Sequence, residues 1–225
     1  NYLFLVTGSK GSGKSVFMKN LMLNCLDRDE ECVVIENSGT TYARISAENS
    51  LRYAKTGEEI KELLLYVHRT MLSRVPLKKE GLGLCLSEEE MFERAMVNRR
   101  LNIFVSDLNK LIRELYDVSS PAYENRITFE VIAEMGAFYN IFLFAEVRDA
   151  DQTELVSRPI MDEFREQCLG VRFGGKFSDS RLRLLDFENV GYRDKSAATK
   201  PGFGIVASSS SNSKQERFVV PMYRG

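Results

Sequence analysis

This sequence of 225 residues contains no tryptophan, one histidine, four cysteines and five prolines. Each scarcity narrows the chemistry available. The one histidine, His68, stands beside Arg69 in a helical pattern and reads as a surface or core-edge residue, not a catalytic one. Cys25, Cys32, Cys85 and Cys168 form no C-x-x-C pair, and Cys25 and Cys32 fall in apolar segments. They read as reduced, mostly buried thiols of a cytosolic protein, not as a zinc site or a disulfide framework. An excess of positive charge is also missing. Lysine and arginine number 31 against 32 acidic residues, for a net charge of −1. This balance argues against a surface that tracks nucleic acid. No apolar run approaches the length of a membrane span, no signal peptide precedes the first strand, and no internal repeat is visible. The chain starts on an apolar strand pattern without an initiating methionine. The expectation is therefore a single domain, residues 1–225, excised from a longer multidomain protein.

What the sequence does contain is a phosphate-loop pattern. Residues 8–15 read Gly-Ser-Lys-Gly-Ser-Gly-Lys-Ser and fit G-x-x-x-x-G-K-[ST] at every fixed position. Five apolar residues precede the loop (2–6), as in a buried parallel strand. Residues 16–26 follow without Gly or Pro and read as a helix. Glycines let successive N–H groups converge on one concavity, and the helix N-terminus adds its dipole and its unpaired donors. The expected nucleotide-binding set is Gly8, Ser9, Lys10, Gly11, Ser12, Gly13, Lys14, Ser15 and Val16. Lys14 would reach the β- and γ-phosphates, and the Ser15 hydroxyl would sit on Mg²⁺.

The rest of the chain alternates. Apolar strand patterns occupy residues 32–36, 101–107, 139–146 and 168–173. Helical patterns occupy 58–71, 88–100, 127–135 and 151–165, the last interrupted by Pro159. Residues 201–207 and 217–220 read as a terminal pair of strands around a Ser-rich turn. This alternation predicts an α/β fold, with a mostly parallel central sheet covered by helices on both faces and a C-terminal hairpin. The phosphate loop then lies at the carboxyl ends of the strands, where open α/β sheets bind ligands. The strand at 101–107 ends in Asp107. That residue is the candidate to hold Mg²⁺ through its water shell, or else a cap for the helix beginning at Leu108.

The order of these parts resembles the FtsK/SpoIIIE ATPases. The resemblance rests on the strand–GSKGSGKS–helix unit, on Glu36-Asn37-Ser38-Gly39 after the second strand, and on the strand ending in Asp107. It also rests on the segment around Asp179-Ser180-Arg181 and on Pro201-Gly202-Phe203-Gly204-Ile205. It implies a RecA/FtsK-like P-loop NTPase fold and ATP with Mg²⁺, held by Ser15 and Asp107. Two departures stand out. The family's magnesium strand ends Asp-Glu, and here Leu108 follows Asp107. The family's fourth strand ends with a Gln that senses the γ-phosphate, and here Val147 takes its place. Glu146 could stand in as a base. Loss of a general base costs roughly 10²–10⁴ in rate, so the resemblance implies nucleotide binding with slow or absent hydrolysis.

Degenerate domains of this kind are a feature of the EssC-type coupling ATPases of type VII secretion, and this chain is similar to their last domain. The resemblance then implies a regulatory or substrate-recognition role. The implied partners are neighbouring ATPase domains of the same chain, secreted protein substrates and a hexameric ring. The implied location is the cytoplasmic side of the cell membrane, with no membrane insertion by this segment and no nucleic acid. An arginine finger would come from a neighbouring subunit; Arg181 is a candidate, or else a structural helix-start residue. The alternatives are an active DNA-translocating motor domain and a small-molecule kinase. The kinase would need an arginine-rich lid that the sequence does not show after the loop.

Overall fold

The computed structural model describes residues 3–8, 10–74, 87–147, 168–173, 202–208 and 216–220. Among the described residues eight strands form one sheet: β1 (Leu3–Gly8), β2 (Glu31–Ile35), β3 (Arg52–Ala54), β4 (Leu101–Val105), β5 (Ile141–Val147), β6 (Cys168–Phe173), β7 (Phe203–Ser208) and β8 (Glu216–Val219). Their order is β3-β2-β4-β5-β1-β6-β7-β8. All pairings from β3 to β6 are parallel, and β7 and β8 add an antiparallel margin. The α-helices among the described residues are α1 (Lys14–Asp27), α2 (Ala43–Glu48), α3 (Gly57–Arg74), α4 (Glu88–Met96), α5 (Leu108–Tyr116) and α6 (Arg126–Met135).

The predicted α/β architecture holds, because the central strands are buried on both faces. Their apolar residues divide by parity into two cores, as period-2 alternation requires. Leu5, Val33, Ile103 and Leu143 face α3, α5 and α6, packing with Ile60, Leu64, Leu111 and Phe129. Val6, Val34, Phe104 and Phe144 face α1 and the segment entering α2, packing with Met18, Met22, Tyr42 and Ile45. On this second face Val34, Phe104, Phe144 and Phe4 share one register across β2, β4, β5 and β1. The Phe144 ring stacks against Phe4 at 4.5 Å and Phe104 at 4.8 Å.

Two elements escape the sequence patterns. Strand β3 is three residues long and α2 is six, each too short for periodicity to show. One boundary is corrected: the strand expected to run to Asp107 ends at Val105. The chain leaves the sheet there because Asp107 becomes the N-cap of α5. His68 is half-buried on α3, and Cys25, Cys32 and Cys168 are buried thiols outside any disulfide. Among the described residues no helix is long and apolar enough to cross a membrane.

Candidate nucleotide site

The loop expected to bind phosphate leaves β1 at Gly8 and enters α1 at Lys14. Two of its glycines are demanded by space and backbone. Gly8 has φ +151°, and a Cβ there would lie 2.3 Å from the Phe173 carbonyl oxygen of the adjacent β6. Gly13 caps α1 in the left-handed region at φ +105°, where a Cβ would meet the Gly202 nitrogen at 3.1 Å. Such conformations are inexpensive for glycine alone. The close approach to Gly202 is part of a fastening, since the Gly202 N–H donates to the Ser12 carbonyl at 2.9 Å. The Gly202 carbonyl in turn accepts from Val220 N–H at 2.8 Å. The terminal hairpin therefore ties directly to the phosphate loop.

Helix α1 carries no acidic residue in its first turn, so its positive end faces the loop uncompensated by carboxylates of its own. Lys14 Nζ donates to the Gly8 carbonyl at 2.8 Å, which spans the loop from its end to its start. Gly11 and Lys10 are exposed, whereas Ser12 is buried and its hydroxyl has no hydrogen-bond partner among the described residues. A buried unpaired hydroxyl beside a nest of amides suits an anion with many acceptor oxygens. Val16 is half-buried on the first turn of α1. Ser9 lies outside the described residues, as do the 177–185 segment with Asp179 and Arg181, Pro201, Cys85 and Arg148.

Strand register places further groups here that the spacing of motifs does not reveal. Ile35, Val105 and Ala145 are level across β2, β4 and β5. The next residues, Glu36, Ser106 and Glu146, therefore form a row, and Glu146 is itself level with Val6 on β1. By alternation this row lies one step above the stacked phenylalanines, on the α1 face. All three members are buried.

The row is wired to the phosphate loop. Ser15 Oγ donates to Glu146 Oε1 at 3.4 Å, and the Tyr42 hydroxyl donates to the same oxygen. Glu36 holds Tyr42 in place. Its carboxylate accepts from the Thr41 N–H, from Tyr42 N–H at 2.9 Å and from the Tyr53 hydroxyl at 3.0 Å. A continuous path therefore runs Tyr53–Glu36–Tyr42–Glu146–Ser15 from the β3 edge to the loop. Burial pushes the Tyr42 hydroxyl well above its ordinary pKa, and the adjacent Glu146 adds to this. Burial, with the Glu36 hydrogen bond, pushes Tyr53 up to about 12.

Asp107 sits differently. Its Oδ1 accepts the Lys110 N–H at 3.1 Å and caps α5, and its carbonyl accepts from Asn37 Nδ2 at 3.4 Å. Lys110 Nζ donates to the Asn37 carbonyl, closing the gap between the β2 and β4 ends. Leu108 and Val147 are wholly buried in the core under α3, α5 and α6, on the face opposite α1. In the sequence Glu36 belongs to a turn cluster and Glu146 reads as a stand-in base. Tyr42 and Ser106 carried no signal, because their roles come from a register that only the folded sheet supplies.

No family model matches the chain, and no curated protein does. Solved structures do match its fold. The pCW3 conjugation coupling protein TcpA, in monomer form with ATPγS, aligns with a TM-score of 0.72 at 15% identity. That alignment covers 97% of this chain and 60% of TcpA's. The cytoplasmic domain of the Thermomonospora curvata type VII secretion ATPase EccC aligns at 0.66 with 16% identity, over 100% of this chain and 24% of its own. EssC (ATPases 2 and 3) from Geobacillus thermodenitrificans aligns at 0.66 with 13% identity, over 99% and 40%. At these identities the likeness is one of fold alone, shared with the ATPase domains of those chains. This chain spans 24% to 60% of the length of those three solved chains.

Proposed function

We propose that this chain is a nucleotide-binding module that holds ATP with Mg²⁺ on residues 8–16. It would serve as one domain of a longer, multidomain protein-export motor, with binding rather than turnover as its contribution. The observation that carries the reading is the loop itself, with Gly8 and Gly13 at positive φ and no room for a Cβ at Gly8. Lys14 and Ser15 stand at the N-terminus of a helix of 14 residues. Mg²⁺ supplies charge neutralisation between phosphates, and the Ser15 hydroxyl offers the hard oxygen such an ion takes. Backbone N–H groups of residues 10–15 would carry the phosphate charge, and Lys14 would swing from the Gly8 carbonyl to the phosphates.

The way the nearby groups are engaged supports a reading of slow or absent hydrolysis. Leu108 and Val147 are apolar and buried on the far face. Asp107 is committed to a helix cap, and Glu146 to Tyr42 and Ser15. The export role draws on the likeness to the EccC and EssC ATPase domains, and neighbouring domains and secreted proteins are the partners proposed with it. Location at the cytoplasmic side of the membrane, and a ring in the full-length protein, belong to the same proposal.

Isothermal titration of ATP·Mg²⁺ into the wild type and into Lys14→Ala tests the binding claim. Loss of one hydrogen-bonded charge should weaken affinity roughly 10–100-fold. Equal affinities for the two proteins would remove the claim. A DNA-translocating motor is the second reading, favoured by the likeness to a conjugation coupling protein. DNA-stimulated phosphate release would establish it in place of the first.

A further inference from the structure

Resting on the nucleotide-binding reading above, we infer that Glu146 on β5, not Asp107 on β4, is the carboxylate that partners Ser15 toward the nucleotide's Mg²⁺. Tyr42 acts as its positioning residue.

Glu36, Ser106 and Glu146 form one row across β2, β4 and β5. Three parallel strands bring three side chains level on the face that α1 and the phosphate loop occupy. At the β4 position of this row the chain has Ser106, a neutral residue whose hydroxyl is buried and without a hydrogen-bond partner among the described residues. At the β5 position it has Glu146, which is 3% exposed and accepts the Ser15 hydroxyl. The strand carrying Asp107 has ended two residues earlier, and that side chain is turned to the first turn of α5. Of the two candidate carboxylates, Glu146 is thus the one hydrogen-bonded to the serine that would meet the ion.

The donor set fits the metal. Mg²⁺ takes hard oxygens and is commonly held by one or two carboxylates plus substrate phosphates and water, not by an all-protein cage. A serine hydroxyl and one carboxylate at the phosphate loop meet that description. A carboxylate buried to this degree is expensive unless it is hydrogen-bonded and faces a cation. Ser15 and Tyr42 supply hydrogen bonds to it, and a bound Mg²⁺ would face it. Tyr42 is in turn fixed by Glu36 through its own N–H, so the orientation of Glu146 is set by a second buried carboxylate one strand beyond Ser106. Such outer partners commonly account for 10–100-fold in metal affinity.

The test is a set of ATP titrations on the whole chain, each run in EDTA and in Mg²⁺, with Mn²⁺ binding followed independently by electron paramagnetic resonance. The readout is the ratio of the two ATP affinities. Wild type should bind ATP in EDTA and bind it at least about tenfold more tightly with Mg²⁺. Glu146→Gln should keep its EDTA affinity and lose most of that gain, with a matching loss of bound Mn²⁺. Asp107→Asn should keep the gain, and Tyr42→Phe should reduce it partially while leaving EDTA binding alone. Loss of the gain in Asp107→Asn with its retention in Glu146→Gln would overturn the inference and leave the nucleotide reading standing. Absence of ATP binding by wild type under both conditions would overturn both. Should Glu146→Gln fail to fold, Asp107→Asn decides: retained gain supports the assignment to Glu146, and lost gain refutes it.

Discussion

The ends of β4 and β5 lie side by side, and each offers one acidic residue within a residue or two of the strand's last ladder position. They use those residues in opposite ways. At β4 the acid is Asp107, conspicuous in the sequence, half-buried and spent on the first turn of α5. At β5 it is Glu146, which is buried, level with the phosphate-loop strand and hydrogen-bonded to Ser15 and Tyr42. Asp107 stands one position beyond Ser106, the residue level with Glu146, and that one-residue offset decides which face a side chain reaches, because side chains alternate with period two. The lesson is that an acid after an apolar run identifies a strand end, while register decides whether that acid faces the ligand.

The largest effect expected from perturbing this contrast comes from the floor beneath both strand ends. Phe144 is 6% exposed and stacked between Phe4 and Phe104. Phe144→Ala should cost about 3–5 kcal/mol in chemical denaturation, through lost transfer energy and the cavity left behind. Nucleotide binding should fall with stability, because both ends rest on that stack. Next in size is Gly8→Ala, whose Cβ would collide with the Phe173 backbone. It should cost roughly 1–3 kcal/mol and displace the loop, read as a lower melting temperature together with weakened ATP binding.

The contrast itself is measured by alanine at each acid. Glu146→Ala leaves the buried Tyr42 hydroxyl without its acceptor and should cost about 1–3 kcal/mol. Asp107→Ala removes one cap and should cost about 1 kcal/mol, leaving the Mg²⁺ dependence of ATP binding intact. A reversed order, by thermal melting, would break the comparison. A gentler probe is alkaline pH. Tyr53 and Tyr42 are both raised above the ordinary tyrosine value of 10.0, so the folded state holds their protons more tightly than the unfolded chain does. That contribution is fully present below pH 10.0 and is lost as pH rises through about 12, the value for Tyr53. Stability followed by circular dichroism should decline over that window, and Tyr53→Phe should flatten the decline. The smallest effect belongs to Arg44→Ala on α2. Its pair with Glu48 is exposed, with 79% of the Arg44 side chain open to solvent, so less than about 0.5 kcal/mol should be lost.

Much of this was legible in advance, for physical reasons. The phosphate loop announces itself because glycine at fixed spacing has few other uses beside a buried strand and a helix start. The long helices and doubly buried strands show their periods, and Leu3–Gly8, Ile141–Val147 and Cys168–Phe173 all fall where apolar runs predict. The row Glu36–Ser106–Glu146 was not legible as a row, since no sequence pattern states that β5 inserts between β1 and β4. Tyr42 was silent for the same reason: the turn after Glu36 folds back on that carboxylate, and only then does its hydroxyl reach Glu146. The strand expected to reach Asp107 stops two residues short of it, at Val105, because Asp107 caps α5.

The most direct test is a crystal structure of the chain with ATPγS and Mn²⁺, locating the ion by its anomalous signal. The account places the metal against the Ser15 hydroxyl and the nucleotide's phosphates, nearer the Glu146 carboxylate than that of Asp107. An ion seated on Asp107, with Glu146 still turned to Tyr42, would contradict it.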